Sequence, residues 1–161
     1  MIEEVHGDIL LSDAQAIAHG VSPNDDFHQG LALALREQWP ALYKDFRHYC
    51  QTAHPKAGEA WLWGAADGRR IVNLLTQEAA YGHGEKPGTA TLPHVNHALR
   101  ALRKIVEAEK FRSLAPPRLA TGAGRLDWQD VEPLIREHLG DVGIPVYVYT
   151  RYEKGAKATE N

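Results

Sequence analysis

Apolar residues along this chain alternate between short runs typical of strands and longer stretches with helical spacing. The short runs predict strands over residues 2–6, 14–21, 60–64, 70–75, 114–120 and 145–150. The helical spacing predicts helices over residues 30–38, 92–110 and 128–139, with a further helix starting at Pro40. Strands and helices therefore alternate through most of the chain. This order indicates an α/β domain whose mixed sheet is covered by helices on both faces.

Local signals refine this picture. The turn at Asp67-Gly68 predicts an antiparallel hairpin between the third and fourth strands. The small apolar residues of the second strand, 14–21, favour burial on both faces. We expect Pro133 only near the first turn of its helix, because proline lacks an N–H donor. The loops that follow the parallel strands should share one rim of the sheet, where ligands bind in such folds.

Composition limits the functions to be considered. The chain has 161 residues, 43% hydrophobic and 24% charged, which fits one globular domain. A net charge of −3 argues against a broad nucleic-acid-binding face, although it leaves a local basic patch open. The single cysteine, Cys50, excludes an internal disulfide and a cysteine-based zinc site, and it agrees with a cytoplasmic location.

The ends of the chain carry further expectations. No apolar run approaches the roughly 20 residues that span a bilayer, so no membrane partner is expected. The acidic N-terminus lacks the pattern of a signal peptide. We expect the domain to cover residues 1–152, and the small and polar residues 153–161 to form a disordered tail.

The most informative stretch is the loop over residues 118–126, which joins a predicted strand to a predicted helix. Gly122, Gly124 and their small neighbours leave backbone N–H groups uncovered close to a helix N-terminus, where phosphate binds well. The loop matches neither the dinucleotide-binding nor the P-loop pattern. Taken alone, it is as compatible with an ordinary strand-to-helix turn as with a phosphate site.

Several motifs in a fixed order carry a resemblance to a known family. They are Gly7-Asp8-Ile9-Leu10, residues 16–22 (Ala-Ile-Ala-His-Gly-Val-Ser), residues 30–32 (Gly-Leu-Ala), and a Pro-Arg-x-x-x-Gly-x-x-x-Leu-x-Trp pattern over residues 117–128. In these motifs the chain resembles a macrodomain, from about Ile2 to Tyr149. It is most similar to the branch of the terminal ADP-ribose protein glycohydrolases and the antitoxin-type macrodomains that remove ADP-ribose from DNA. The resemblance implies a three-layer α/β/α fold that binds ADP-ribose in a cleft above the sheet.

The resemblance also implies roles for particular residues. The Asp8 carboxylate would accept a hydrogen bond from the adenine amino group, although the same residue could merely cap a turn. The loop over residues 22–30 would wrap the distal ribose, and the two glycine-bearing loops would hold the diphosphate through backbone N–H groups. His19 matches a histidine of the branch, although a histidine on a buried strand is more typical of a core. The expected ligand-binding residues are Asp8, Ile9, His19, Ser22, Gly30, Leu31, Ala32, Thr121, Gly122, Ala123, Gly124, Arg125, Tyr149 and Tyr152.

The chain departs from the hydrolases of this branch at two positions. Their lysine falls at Gln77 and their aspartate at Gly124, so neither chemical role is preserved. An amide cannot attack the anomeric carbon as an amine can. Other groups could activate water as a general base, and the candidates are Asp25, Asp26, His28 and His83. The alternative for the aspartates is turn formation in a solvated loop.

Three functions stay open from the sequence. The first is a module that binds ADP-ribose, free or attached to a macromolecule. The second is a hydrolase that releases ADP-ribose by activating water, and the third is a sensor of a related nucleotide metabolite. No cofactor is expected. No metal site is expected either, because His94 and His97 share a helix face and no third metal ligand is evident at a suitable spacing.

Overall fold

The computed structural model describes residues 1–79, 88–122 and 124–161. The strands are β1 (Ile2–Gly7), β2 (Ala16–Val21), β3 (Ala60–Gly64), β4 (Arg70–Leu75), β5 (Leu114–Ala115) and β6 (Val146–Tyr152). The helices are α1 (Gly30–Gln38), α2 (Pro40–Ala53), α3 (Leu92–Glu109) and α4 (Trp128–Leu139), and a turn of 3-10 helix at Ile9–Leu11 follows β1. The predicted elements are therefore present in the predicted order.

The described strands form one mixed sheet in the order β1-β6-β5-β2-β4-β3. Neighbouring strands run parallel, except that β3 pairs antiparallel with β4 through the predicted hairpin. The carboxyl ends of β1, β6, β5, β2 and β4 consequently lie at the same edge. The loops that the sequence predicts to bind a ligand therefore leave the sheet at this edge.

Two hydrophobic cores flank the sheet, one against α3 and α4 and the other against α1 and α2. Successive side chains of a strand point to opposite faces, and β2 shows the result. Ala18 belongs to the first core and Ile17 to the second, and both are fully buried. The expected burial of β2 on both faces and the three-layer α/β/α fold are confirmed.

The strand predicted over residues 114–120 is much shorter than expected. Only Leu114 and Ala115 belong to β5, because Pro116 and Pro117 follow and proline has no N–H group to donate to the sheet. The chain still runs beside β6, since the Pro116 carbonyl accepts a hydrogen bond from the Tyr149 N–H at 2.9 Å. The loop that follows therefore starts close to the end of β6.

Pro133 lies deeper in α4 than expected. It is the sixth residue of this helix rather than part of its first turn. The Pro133 side chain is exposed, so it stands on the solvent face of α4. The carbonyl that loses its helical partner can bond to water there, and the helix continues through the proline.

Residues 153–161 do not form the disordered tail that the sequence analysis expects. They lie against the segment that follows β1: the Asp8 N–H donates to the Ala156 carbonyl at 2.7 Å, and the Ser12 hydroxyl donates to the Glu160 carboxylate at 2.6 Å. Ala158 packs against the second core. Small polar residues carry little hydrophobic signal, so these long-range hydrogen bonds could not be read from composition. Within the described ranges, no helix is long and apolar enough to cross a membrane.

Replacement of Leu99 by alanine tests the core against α3 and α4. Leu99 is fully buried in that core, so its truncation leaves a cavity that should lower the free energy of unfolding by about 3–5 kcal/mol. Leu92→Ala is the matched control on the same helix, because Leu92 is 37% exposed, and it should cost less than about 1 kcal/mol. Urea denaturation measures both changes. Equal costs would contradict the packing described for α3.

Candidate functional site

A cleft of about 390 Å³ opens at the edge where the parallel strands end. Its volume falls within the range of small-molecule sites, and its wall is mainly apolar. It is lined by Gly7, Ile9, Gly30, Leu31, Ala34, Pro117, Tyr149 and Tyr152. The expected residues Ile9, Gly30, Leu31, Tyr149 and Tyr152 are thus brought together from three distant parts of the sequence.

The amino end of α1 reaches this cleft through Gly30 and Leu31. Gly30 has a φ of 61°, a left-handed conformation that glycine adopts without strain. Gln29 makes no side-chain cap, and the first turn of the helix carries no acidic residue. Among the described residues, the N–H groups of Gly30, Leu31 and Ala32 have no acceptor. The end of α1 therefore presents uncapped donors and partial positive charge to the cleft, a combination suited to an anion.

The second glycine-bearing loop leaves the sheet beside the first. It follows β5, and the loop before α1 follows β2, which is the parallel neighbour of β5. Ala120 and Arg125 both adopt a φ of 62° and so turn the chain sharply. The Leu126 N–H bonds to the Ala120 carbonyl at 2.9 Å and closes the loop, whereas the N–H groups of Thr121 and Gly122 find no acceptor among the described residues. Ala123 lies outside the described residues.

Asp8 is almost completely buried at the end of β1, next to the cleft. Its Oδ1 accepts a hydrogen bond from the Leu10 N–H at 3.0 Å and thereby caps the 3-10 turn. Its Oδ2 accepts a hydrogen bond from the Gly155 N–H, also at 3.0 Å. The carboxylate therefore performs the capping role that the sequence allowed, and it is held in a fixed orientation. Each carboxylate oxygen has a second lone pair, so a ligand amino group could still bond to it.

Asp25 organises the loop between β2 and α1. Its carboxylate accepts hydrogen bonds from the Ser22 N–H at 3.3 Å, the Ser22 hydroxyl at 3.2 Å and the Phe27 N–H at 2.8 Å. Ser22 is fully buried, so its hydroxyl serves this turn rather than the cleft. Phe27 has a φ of 54° and a fully buried ring that contacts Phe46. Burial of that ring offsets the strain of its backbone, and the loop is fixed before any ligand arrives.

The other candidate general bases have different surroundings. Asp26 and His28 are exposed, and their side chains form a close hydrogen bond with each other. The Asp26 carbonyl also accepts a hydrogen bond from Arg36 at 2.9 Å. Neither side chain lines the 390 Å³ cleft. His83 lies outside the described residues.

The structure also explains the two departures from the hydrolases of the branch. The Gln77 side chain is largely buried and donates to the Gly88 carbonyl at 3.0 Å, so it ties β4 to the segment before α3. Gly124 has no room for a side chain, because a Cβ there would lie 2.6 Å from the Ala120 carbonyl oxygen. An aspartate at this position would force the loop to change its backbone.

His19 is placed in the core and not in the cleft. It is 1% exposed, and its Nε2 lies 2.7 Å from the Asn73 Oδ1, while its ring meets the edge of Phe27. Burial lowers the pKa of His19 below its ordinary value, so the ring favours the neutral form. The expectation of a ligand contact from this side chain is therefore not met, and the alternative of a core histidine describes its surroundings.

Three lining residues are absent from the expected set: Gly7, Ala34 and Pro117. Gly7 and Pro117 belong to motifs that carry the family resemblance, so the sequence contained a signal for these two residues. Ala34 lies one helical turn beyond Gly30 on α1 and carries no chemical signal of its own. A larger open hollow of about 710 Å³ lies beside α2 and the segment after β4, and none of the expected ligand-binding residues lines it.

The comparisons with known proteins agree with this geometry. The macrodomain of Thermus aquaticus DarG superimposes with a TM-score of 0.81 at 25% identity, covering 93% of this chain and 98% of that one. The chain has the macrodomain fold. This confirms the resemblance that the motifs carry, although no family model matches the chain.

Two further comparisons concern proteins of Thermosipho africanus. A DNA ADP-ribosyl transferase-DNA ADP-ribosyl glycohydrolase fusion protein of Thermosipho africanus is 29% identical over 93% of the chain. Thermosipho africanus DarTG in complex with ADP-ribose superimposes with a TM-score of 0.80 at 22% identity, over 97% of this chain and 42% of that one. The macrodomain spans only 42% of the length of the fusion protein.

Replacement of Asp25 by alanine tests the structural role of this carboxylate. The variant loses the acceptor for three hydrogen bonds, so the free energy of unfolding should fall by about 1–3 kcal/mol. The matched control is Asp26→Ala in the same loop, which should change the free energy of unfolding by no more than about 0.5 kcal/mol because the Asp26–His28 contact is exposed. Urea denaturation measures both. A cost for Asp26→Ala as large as that for Asp25→Ala would show that the loop is organised differently.

Proposed function

We propose that this macrodomain binds ADP-ribose, free or attached to a macromolecule, in the cleft between α1 and β6. The observation that carries the proposal is the uncapped amino end of α1, which meets an apolar wall within one 390 Å³ cleft. A diphosphate needs donors and positive potential, and an adenine ring needs an apolar slot. The cleft offers both within the span of one ligand.

Each part of the ligand has a matching surface. The diphosphate would bond to the N–H groups of Gly30, Leu31 and Ala32 on one side and to those of the loop after β5 on the other. Backbone donors suit this charge, because binding orders no side chain. The adenine ring would lie against Ile9 and Tyr152, and its amino group would donate to the Asp8 carboxylate.

The comparisons support this ligand. The Thermosipho africanus structure of the same fold was solved with ADP-ribose bound. The relatives named as DNA ADP-ribosyl glycohydrolases act on ADP-ribose attached to DNA. These names make DNA the first macromolecule to test as the carrier of ADP-ribose.

The surroundings of Gln77 and Gly124 favour binding over lysine-dependent hydrolysis. Gln77 offers an amide that is already bonded to the Gly88 carbonyl, and Gly124 excludes a carboxylate by crowding. Two positions at which the branch places its reacting groups therefore serve loop structure in this chain. We infer that the macrodomain retains ADP-ribose without forming a covalent bond to it.

Hydrolysis by activated water is the second candidate. It is favoured by the glycohydrolase names of the relatives and by the exposed Asp26–His28 pair in the loop after β2. An imidazole beside a carboxylate can accept a proton from water, provided that the anomeric carbon lies within reach. Asp25 is a poorer candidate, since its carboxylate already holds Ser22 and Phe27.

Calorimetric titration with ADP-ribose tests the binding proposal. We expect saturable binding by the unaltered chain, and Asp8→Ala should weaken it by about 1–3 kcal/mol, the scale of a lost charge-assisted hydrogen bond. Asp67→Ala is the control, because Asp67 lies in the β3–β4 turn at the opposite edge of the sheet. The affinity of this variant for ADP-ribose should be unchanged. No heat and no thermal stabilisation at millimolar ADP-ribose would refute the proposal.

Incubation with ADP-ribosylated DNA and with ADP-ribosylated protein separates binding from hydrolysis. Without a lysine at position 77, we expect no adduct between the protein and ADP-ribose after borohydride reduction, as measured by mass spectrometry. A binding module should also release no free ADP-ribose. Release that is lost in Asp26→Ala while ADP-ribose affinity persists would establish the water-activated hydrolase instead.

A further inference from the structure

The C-terminal segment over residues 153–160 holds the end of the cleft assigned above to adenine. It follows β6 and returns along the residues between β1 and β2. The Glu153 N–H donates to the Gly7 carbonyl at 3.1 Å, and the Asp8 N–H donates to the Ala156 carbonyl at 2.7 Å. The segment is thus bonded to the backbone on both sides of the Gly7–Asp8 peptide.

Gly7 is shaped to receive this segment. Its φ is 153°, and an added Cβ would lie 2.8 Å from the Ala156 carbonyl oxygen and 2.9 Å from the Ala158 nitrogen. A residue with a side chain would therefore push the segment away from β1. The closeness of the two backbones depends on glycine at this position.

The segment also forms hydrogen bonds with Asp8, which lies next to the cleft, and with Tyr149, which lines it. The Gly155 N–H bonds to the Asp8 Oδ2 at 3.0 Å, opposite the bond from Leu10 to Oδ1. The Tyr149 hydroxyl donates to the Glu160 carboxylate at 2.5 Å, and the other Glu160 oxygen accepts from the Asp13 N–H at 3.0 Å. Burial, and next the bond to Glu160, raise the pKa of Tyr149, so its hydroxyl stays protonated and donates.

We propose that Gly155 and Glu160 are positioning residues, of which Gly155 holds the Asp8 carboxylate and Glu160 anchors the segment that carries Gly155, so that the cleft selects adenine over other purines. The inference rests on the proposed function. Adenine presents an amino donor to the Asp8 carboxylate, whereas hypoxanthine presents a carbonyl oxygen, which a carboxylate repels. This discrimination requires a carboxylate that cannot rotate away, and the Gly155 N–H opposes that rotation.

The test compares the affinities of the full chain and its variants for ADP, IDP and ribose 5-phosphate by calorimetry. The unaltered chain should prefer ADP over IDP. Gly155→Pro removes the N–H donor to Asp8 and also displaces the segment, because proline cannot adopt the φ of 77° found at Gly155. It should reduce that preference about tenfold, mainly through weaker ADP binding. Ribose 5-phosphate lacks a base, so its affinity should not change.

Glu160→Ala should reduce the same preference about threefold, because it loosens the segment that carries the Gly155 N–H donor to Asp8. Glu160→Gln should restore the preference, because the amide oxygen still accepts from the Tyr149 hydroxyl. Glu153→Ala is the matched control, since it removes a carboxylate of the same segment that lies 3.7 Å from Arg151, and it should leave the preference unchanged. Equal losses for ADP, IDP and ribose 5-phosphate, or an unchanged preference in Gly155→Pro, would overturn the inference. Failure of the unaltered chain to bind ADP would instead overturn the proposed function.

Discussion

The parallel pairing of the central strands is the constraint on which the candidate site depends. β1, β6, β5 and β2 are consecutive neighbours in the sheet and all end at one edge. The loop before α1 and the loop after β5 therefore leave adjacent strands at that edge, although nearly a hundred residues separate them in the sequence. Gly30 and Leu31 of the first and Pro117 at the start of the second line the same cleft. If one of these strands were antiparallel, its loop would leave the opposite edge and the site would lose a wall.

Backbone donors bind an anion well only when their positions are fixed beforehand. The loop before α1 meets this requirement through internal contacts: Asp25 accepts three hydrogen bonds, and Phe27 is buried despite a left-handed backbone. The energy that orders the loop therefore comes from folding rather than from binding. The Ser22 and Asp25 side chains of this loop consequently support its shape and do not line the cleft.

The hydrophobic pattern predicts most of the fold because both cores are built from period-2 strands and helical stripes. α1, β3, β4 and α4 begin and end where the pattern places them. The pattern does not predict the early end of β5, where two prolines remove donors, or the continuation of α4 through the exposed Pro133. The pattern also does not predict that residues 153–161 are ordered. Individual hydrogen bonds with Asp8 and Tyr149 help to hold this segment in place.

The candidate site likewise has one part that the sequence predicts and another part that it does not. Motifs that turn the backbone, such as Gly30 and the loop after β5, can be predicted from the sequence because they contain glycine and other small residues. The environments of His19, Ser22 and Asp25 cannot be predicted in this way. A polar residue near a loop gives the same sequence signal whether it faces a ligand or its own chain. Only their burial and partners distinguish the two cases, and these place all three in the support of the loop.

The positions of Gln77 and Gly124 connect this support to function. Both bond to the residues just before α3: Gln77 to the Gly88 carbonyl, and the Gly124 carbonyl to the Ala90 N–H at 3.1 Å. A lysine at position 77 would give up the amide contact with Gly88, and an aspartate at position 124 would collide with Ala120. In this chain both positions serve contacts within the loops, and neither the Gln77 amide nor Gly124 supplies a nucleophile.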